Sequence, residues 1–199
     1  MATIFPEKPQ LHMVWPFATG RACPQFSTAD GYSIRTFQPG DEAAFLDLMA
    51  HLDFDPWDKA KLAYNLNKVI PEGWFFATDC SCRIVATAMC QHNYSGQSPF
   101  TGDVGWVACH PDHRGKGLGL ALCARVIQRF LEAGYTAIQL HTEYFRLPAI
   151  KTYLRIGFVP LINSSEVSSL WQQACTRLDW PFTPETWAAS SLTKKDCID

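Results

Sequence analysis

The sequence of 199 residues lacks the features that mark several common classes of protein. Its formal net charge is −2, so the charge balance gives no reason to expect nucleic acid as a partner. No apolar run reaches the roughly 18 residues of a membrane span. The N-terminus also lacks the basic and apolar regions of a secretory signal. We therefore expect a cytoplasmic protein that binds neither nucleic acid nor membrane.

Eight cysteines are present, but their spacing does not indicate a metal site or a disulfide framework. Cys80 and Cys82 form a C-x-C pair rather than C-x-x-C, and the other six are scattered along the chain. A zinc site of the common type needs two closely spaced pairs, which do not occur here. We expect no metal, and we expect reduced thiols of the kind found in a cytoplasm.

The most informative segment is H-R-G-K-G-L-G at 113–119, between a predicted strand at 103–109 and a predicted helix at 118–133. Its three alternating glycines leave the backbone uncovered where the helix begins. The first amides of a helix have no partner within the helix, and the helix dipole adds partial positive charge there. With Arg114 and Lys116 beside them, these amides predict a phosphate-binding loop.

Three glycine-rich motifs are candidates for this loop. A P-loop requires Gly-Lys-Ser or Gly-Lys-Thr, and neither occurs in the sequence. A dinucleotide fingerprint requires G-x-G-x-x-G early in the chain, whereas the spacing here is G-x-G-x-G past the middle. The pattern R-x-x-G-x-G fits residues 114–119, and in that motif the amides hold the pyrophosphate of coenzyme A. A solvated turn with two incidental basic residues is the alternative.

Two long segments resemble the GNAT superfamily of N-acetyltransferases. The stretch D-V-G-W-V-A-C-H-P-D-H-R-G-K-G-L-G-L-A-L at 103–122 resembles the family's central strand, cofactor loop and helix. The stretch P-A-I-K-T-Y-L-R-I-G-F at 148–158 resembles its later A-x-x-x-Y-x-x-x-G-F signature. A weaker match, Y-S-I-R-T at 32–36, resembles the opening strand. The resemblance extends over about residues 32–162.

The resemblance implies an α/β fold of mixed α+β character, in which helices flank a mainly antiparallel central sheet. We expect an irregular N-terminal arm at 1–30, a GNAT acyltransferase domain at 31–163 and a C-terminal extension at 164–199. The family usually closes with a further strand antiparallel to its sixth, but the extension has a helical pattern instead. Asp41 and the Asp55-Pro56 pair predict the starts of the first two helices.

By the same resemblance, the protein transfers an acetyl or other acyl group directly from acetyl-CoA to a primary amine. A free backbone N–H of the central strand would bind the acyl carbonyl. Arg146 occupies a position where the family often has Asn, and it either contacts a CoA phosphate or lies in solvent. The predicted cofactor-binding residues are Val107, Ala108, Cys109, Arg114, Gly115, Lys116, Gly117, Leu118, Gly119, Leu120 and Arg146.

The catalytic candidates are Tyr153, Asp103 and Glu143. The family often has a tyrosine at the position of Tyr153, where it protonates the departing thiolate, and a phenol with a pKa of about 10 suits that role. The alternative for Tyr153 is a core tyrosine. Asp103 stands where some members place a base glutamate, and Glu143 ends the next strand. His110 and His141, which titrate near neutral pH, and water alone are the remaining candidates for the base.

The sequence does not identify the amine. Small metabolites, antibiotics, peptide N-termini and protein lysines all remain open as acceptors. The alternative function is a catalytically silent CoA-binding sensor or interaction module. A homodimer is expected from the resemblance only, because members of the family often pair through their C-terminal parts.

Overall fold

The computed structural model describes residues 10–16, 24–52, 54–94 and 99–190. The described residues divide into two compact units, a larger one within Gly20–Gln139 and a smaller one within Met1–Thr19 and Leu140–Asp199. The strands are β1 (Gln10–Val14), β2 (Ser33–Thr36), β3 (Val69–Thr78), β4 (Ile84–His92), β5 (Thr101–Cys109), β6 (Ala137–Glu143) and β7 (Val159–Pro160). The helices are α1 (Glu42–Ala50), α2 (Lys59–Leu66), α3 (Leu118–Glu132), α4 (Leu147–Ile156), α5 (Ser165–Leu178) and α6 (Pro184–Ser190).

The sheet of the larger unit has the strand order β2-β3-β4-β5-β6. The pairs from β2 to β5 are antiparallel; α1 and α2 connect β2 to β3, whereas β3, β4 and β5 follow one another directly in the chain. β5 and the start of β6 are parallel, with Thr101 opposite Ala137, because α3 makes the crossover that a parallel pair requires. The predicted mainly antiparallel sheet flanked by helices is therefore confirmed, and its one parallel pair makes it mixed.

Helices cover both faces of this sheet. Met89 of β4 packs into a core cluster with Phe45 of α1 and Trp74 of β3, and the two rings meet edge to face at 4.9 Å. The next residue, Cys90, has its Sγ 3.5 Å from the carbonyl oxygen of Val126 in α3. Since successive strand residues point to opposite faces, α1 and α3 lie on opposite sides of the sheet. Edge-to-face aromatic pairs add about 0.5–1.5 kcal/mol each beyond their burial.

The N-terminal residues of the smaller unit correct one prediction. Residues 10–14 were expected in an irregular arm, but they form β1, which pairs antiparallel with β7 through Met13 and Pro160. Leu11 and Met13 are fully buried, and the intervening His12 stacks on His141 of β6 at 4.3 Å. Alternate burial of this kind is what a strand requires. An antiparallel partner of β7 thus comes from the N-terminal side of the chain.

The first helix starts at Asp41 as predicted, whereas the start of the second helix differs from the sequence prediction. Asp58, not Asp55, caps α2, since its carboxylate accepts from the Lys61 backbone N–H at 2.7 Å. Asp41 stands at the N-cap of α1 but makes no side-chain cap bond there. Its two oxygens accept from the Arg35 guanidinium at 2.6 and 2.8 Å, which lowers the pKa of the Asp41 carboxyl.

Replacement of Gly102 by alanine should test the packing of α3 on β5. An added Cβ would overlap the ring of Phe130, which is fully buried. We expect Gly102→Ala to lower the free energy of unfolding by about 1–3 kcal/mol, measured by urea denaturation. The double variant Gly102→Ala/Phe130→Leu should lose less than the sum of the two single changes. An alanine variant as stable as the parent would contradict this packing.

Candidate active site

The glycine-rich loop presents bare backbone at the start of α3. Gly115 and Gly117 have φ angles of 77° and 74°, in the left-handed region that favours glycine. A Cβ at either position would meet no atom within 4 Å, so the space beside the loop is open. Gly117 is the N-cap, the first turn of α3 contains no acidic residue, and the helical ladder begins with the Ala121 N–H donating to Gly117 O. The preceding amides of α3 therefore form a surface suited to an anion.

Tyr32, which precedes β2, orients the lysine of this loop. Lys116 Nζ donates to the Tyr32 hydroxyl oxygen at 2.7 Å and lies 5.3 Å from the centre of its ring. The same hydroxyl is hydrogen-bonded to His113 Nδ1 at 2.9 Å. The bond to Tyr32 raises the pKa of the Lys116 ammonium group. Arg114 Nε donates to the Cys109 carbonyl oxygen at 3.4 Å, which links the loop to the end of β5.

The central strand β5 contains a bulge beside the loop. Thr87 of β4 faces Ala108 and Met89 faces Gly105, so Trp106 and Val107 together face one residue of β4. A bulge of this kind leaves one residue outside the ladder. Trp106 has φ 49°, a conformation that costs a bulky residue about 1–3 kcal/mol. The strand therefore departs from regular pairing at Trp106 and Val107, and Val107 is the first residue of the predicted acyl-binding segment.

A buried polar network surrounds this bulge, and the sequence analysis did not find it. Trp106 Nε1 donates to Asn65 Oδ1 at 2.7 Å, and Gln91 Nε2 donates to the same oxygen at 3.0 Å. Asn65 in turn donates from Nδ2 to the Lys61 carbonyl oxygen at 2.8 Å. Asn65 and Gln91 are buried. The one available signal was Gly105 within a predicted strand, since such a glycine often marks a bulge.

Asp103 lies on an open cleft of the larger unit, at the opposite end of β5 from the glycine-rich loop. Its Oδ1 accepts from Gln139 Nε2 at 2.8 Å and from Asn93 Nδ2 at 3.2 Å. These amides orient the carboxylate. The cleft has a volume of about 460 Å³ and is lined by Tyr64, Lys68, Gln91, His92, Asn93, Tyr94 and Asp103.

Glu143, Arg146 and Tyr153 belong to the smaller unit. Arg146 Nε donates to Glu143 Oε2 at 2.6 Å, so Arg146 is engaged in an ion pair that the sequence analysis did not foresee. Tyr153 is buried in α4, with its ring edge-on to Phe158 at 6.3 Å. Gly157 ends α4 with φ 112°, which accounts for the glycine in the predicted Y-x-x-x-G-F pattern.

The described cysteines are free thiols, whereas Cys23 and Cys197 lie outside the described residues. Burial raises the pKa of the Cys109 thiol at the end of β5, so it stays protonated near neutral pH. Among the described residues, no three His, Cys, Asp or Glu side chains are grouped to hold a metal ion. Within the same ranges, no helix has the length and apolar character needed to cross a bilayer.

Comparison with known proteins relates this architecture to acetyltransferases. The family model for the acetyltransferase (GNAT) family matches residues 42–158. A mycothiol acetyltransferase of Pseudarthrobacter chlorophenolicus is 31% identical over 144 residues, which are 68% of this chain and 45% of that protein. The chain spans about half the length of the relatives of this name that it matches.

Solved structures with a similar fold include a GCN5-related N-acetyltransferase from Sphaerobacter thermophilus. That structure has a TM-score of 0.63 and 24% identity, covering 76% of this chain and 48% of the other. A GNAT family N-acetyltransferase from Escherichia coli, solved in complex with CoA, has a TM-score of 0.51 and 21% identity. It covers 67% of this chain and 71% of the other. At these identities the similarity concerns the fold.

Replacement of Tyr32 by phenylalanine should test how the loop lysine is held. The change removes the acceptor for Lys116, so the pKa of Lys116 should fall. The measurement is an NMR titration of the lysine side-chain carbons at alkaline pH. Tyr94→Phe is the matched control, since the Tyr94 hydroxyl is hydrogen-bonded to the Asn67 carbonyl oxygen instead. An unchanged Lys116 pKa in Tyr32→Phe would contradict the assigned hydrogen bond.

Proposed function

The chain belongs to the GNAT family of acetyltransferases, and from this premise we propose that it transfers an acetyl group from acetyl-CoA to a primary amine. The family model spans more than half of the chain, so the resemblance predicted from the sequence is confirmed. The observation that carries the proposal is the open glycine-rich loop at the start of α3, joined to a strand that bulges a few residues earlier. The loop suits a diphosphate, and the bulge suits an acyl carbonyl.

In this proposal the cofactor lies along the loop and the end of β5. The backbone amides from Gly115 to Leu120 bind the pyrophosphate, because helix dipole and amide direction both favour an anion there. Arg114 and Lys116 supply full positive charge. The Val107 backbone N–H binds the acyl carbonyl and stabilises the negative charge that develops on its oxygen during attack. Ala108 and Cys109 continue the same strand beside the cofactor.

The proposed reaction needs a neutral amine and a protonated leaving thiolate. Asp103 is favoured as the group that receives the amine proton, since it lies on a cleft and two amides orient it. The Glu143 carboxylate is already engaged by Arg146, which makes it the weaker candidate. Tyr153 stays a prediction as the proton donor to the thiolate, on its place in the family signature. A contact between Arg146 and a CoA phosphate also stays a prediction.

The acceptor is proposed only as a primary amine. The relatives quoted above are named mycothiol acetyltransferases, and they are about twice as long as the matched part of this chain. Their acceptor therefore belongs in the test panel rather than in the proposal. A cytoplasmic location, supported by the free thiols of the described cysteines, is proposed as well. A homodimer stays a prediction from the family.

Calorimetric titration with CoA and with acetyl-CoA tests the cofactor site, and release of free CoA with a panel of amines tests the transfer. The panel should include the acceptor of the mycothiol acetyltransferases, small polyamines and peptide N-termini. Binding followed by amine-dependent CoA release supports the enzyme. Binding without release from any amine would favour the alternative, a catalytically silent CoA-binding module. Absence of binding would overturn both.

Replacement of Gly117 by aspartate should abolish CoA binding. The added carboxylate stands beside the amides proposed to hold the pyrophosphate and repels it, whereas the backbone strain at φ 74° is shared with the control variant. We expect a loss of affinity of at least about 100-fold, measured by calorimetry. Gly117→Asn is the matched control: its side chain has nearly the same size and takes positive φ at a similar cost, but it carries no charge, so its loss should be smaller. Equal affinities for the parent and the aspartate variant would rule out this loop as the cofactor site.

Replacement of Tyr153 by phenylalanine should lower turnover roughly 100-fold if its hydroxyl protonates the thiolate. The affinity for CoA should stay within about twofold of the parent, since the ring remains in place. Turnover is measured with whichever amine the panel identifies, and affinity by calorimetry. Parental turnover in Tyr153→Phe would remove this residue from the mechanism.

A further inference from the structure

Trp106 adopts a conformation that its own side chain opposes. Its φ of 49° lies in the left-handed region, where a large side chain crowds the backbone. The neighbouring Gly105 could take such a conformation at little cost, yet the positive φ falls on the tryptophan. Strain of this kind persists only where the surroundings enforce it, and it concentrates at functional positions.

The enforcing contact is the hydrogen bond from the Trp106 indole to Asn65. Asn65 has 5% of its surface exposed, and its Oδ1 accepts both from Trp106 Nε1 and from Gln91 Nε2. Its Nδ2 is anchored to the backbone of its own helix at Lys61. If Trp106 relaxed to an extended conformation, the indole would leave Asn65 and leave a buried acceptor with one partner fewer, which is unfavourable. The network thus opposes relaxation of the strand.

The space around the bulge is shaped for the same arrangement. A Cβ at Gly105 would overlap Gln91 Oε1, so the glycine is what allows Gln91 to reach Asn65. The Trp106 ring is also held edge to face by Trp57 at 4.4 Å and by Phe54 at 5.9 Å. Lys61 Nζ lies 5.3 Å from the centre of the Trp106 ring. The aromatic contacts, the nearby ammonium group and the hydrogen bond to Asn65 all favour the same position of the Trp106 side chain.

We propose that Asn65 and Trp106 are positioning residues, which hold the β5 bulge so that the Val107 backbone N–H faces the acyl carbonyl of acetyl-CoA. The proposal rests on the proposed function, because it concerns the acyl end of that cofactor. The bulge takes the backbone of Val107 out of register with β4, and the indole hydrogen bond maintains that state. Neither side chain is required to touch the cofactor.

The variant Trp106→Phe tests this role, since it keeps an aromatic ring and removes only the indole donor and its outer ring. Affinities for acetyl-CoA and CoA are measured by calorimetry, and their ratio reports the contact with the acetyl group. We expect the preference for acetyl-CoA to fall about three- to tenfold, as for loss of one hydrogen bond, while the affinity for CoA changes less than about twofold. The carbonyl stretch of bound acetyl-CoA labelled with ¹³C at the carbonyl should move toward its frequency in free acetyl-CoA.

Trp57→Phe is the matched control in the same aromatic cluster. Trp57 contacts the Trp106 ring, but its Nε1 is buried without a hydrogen-bond partner among the described residues, so the change removes no hydrogen bond that they make. The preference for acetyl-CoA and the carbonyl frequency should stay at their parental values in this variant. If both tryptophan variants shift these two readouts equally, the effect belongs to packing and the proposal is overturned.

Asn65→Ala provides a second, independent variant that leaves the indole in place. It should change the acetyl preference in the same direction as Trp106→Phe, and the double variant should be no worse than Asn65→Ala alone, because Asn65→Ala already removes the hydrogen bond that Trp106→Phe removes. Additive losses, or a parental preference in either single variant, would overturn the proposal. Failure of the parent protein to bind CoA at all would instead overturn the proposed function, so the two failures are distinguishable.

Discussion

The backbone of β5 is the constraint on which the candidate site depends. At its start the strand pairs with two neighbours, through Gly102 with His92 of β4 and with Ile138 of β6. It leaves regular pairing at Trp106 and ends at Cys109, a few residues before α3 begins. α3 packs against this strand, where Gly102 leaves room for the Phe130 ring, so β5 positions both the bulge and the helix that follows it. The proposed cofactor loop and the proposed acyl-binding segment therefore depend on a single strand for their geometry.

Local patterns in the sequence were sufficient to predict those parts of the candidate site that a single continuous segment forms. The alternating glycines and the apolar stripe of α3 predicted a bare loop followed by a buried helix, because both depend on neighbours within a few positions. The partners of that segment could not be predicted in the same way. Tyr32 is 84 positions from Lys116, and Asn65 is 41 positions from Trp106. Nothing in the spacing of these residues indicates that their side chains meet, since only the sheet brings them together.

The cap of α2 was predicted wrongly for a local reason. Asp55 and Asp58 both suit a helix cap, and the structure has Asp58 in that position.

The two cations of the glycine-rich loop donate hydrogen bonds to neutral oxygens, a phenol for Lys116 and a backbone carbonyl for Arg114. A hydrogen bond to a neutral group orients a cation without cancelling its charge. The loop thus keeps its positive potential while its side chains are ordered, which reduces the entropy lost when an anion binds.

The pairing of β1 with β7 has a consequence for biosynthesis. Residues 10–14 leave the ribosome long before residues 159–160, yet the two segments are neighbours in the sheet of the smaller unit. Such non-local pairing is slow to form, because closing a long loop costs chain entropy before the contacts between the two strands can offset it. Leu11 and Met13 are therefore without their β7 partner while most of the chain is translated, and exposed apolar side chains of this kind favour aggregation. The strand pairs of the larger unit, from β2 to the start of β6, involve neither β1 nor β7, so their formation does not depend on that late pairing.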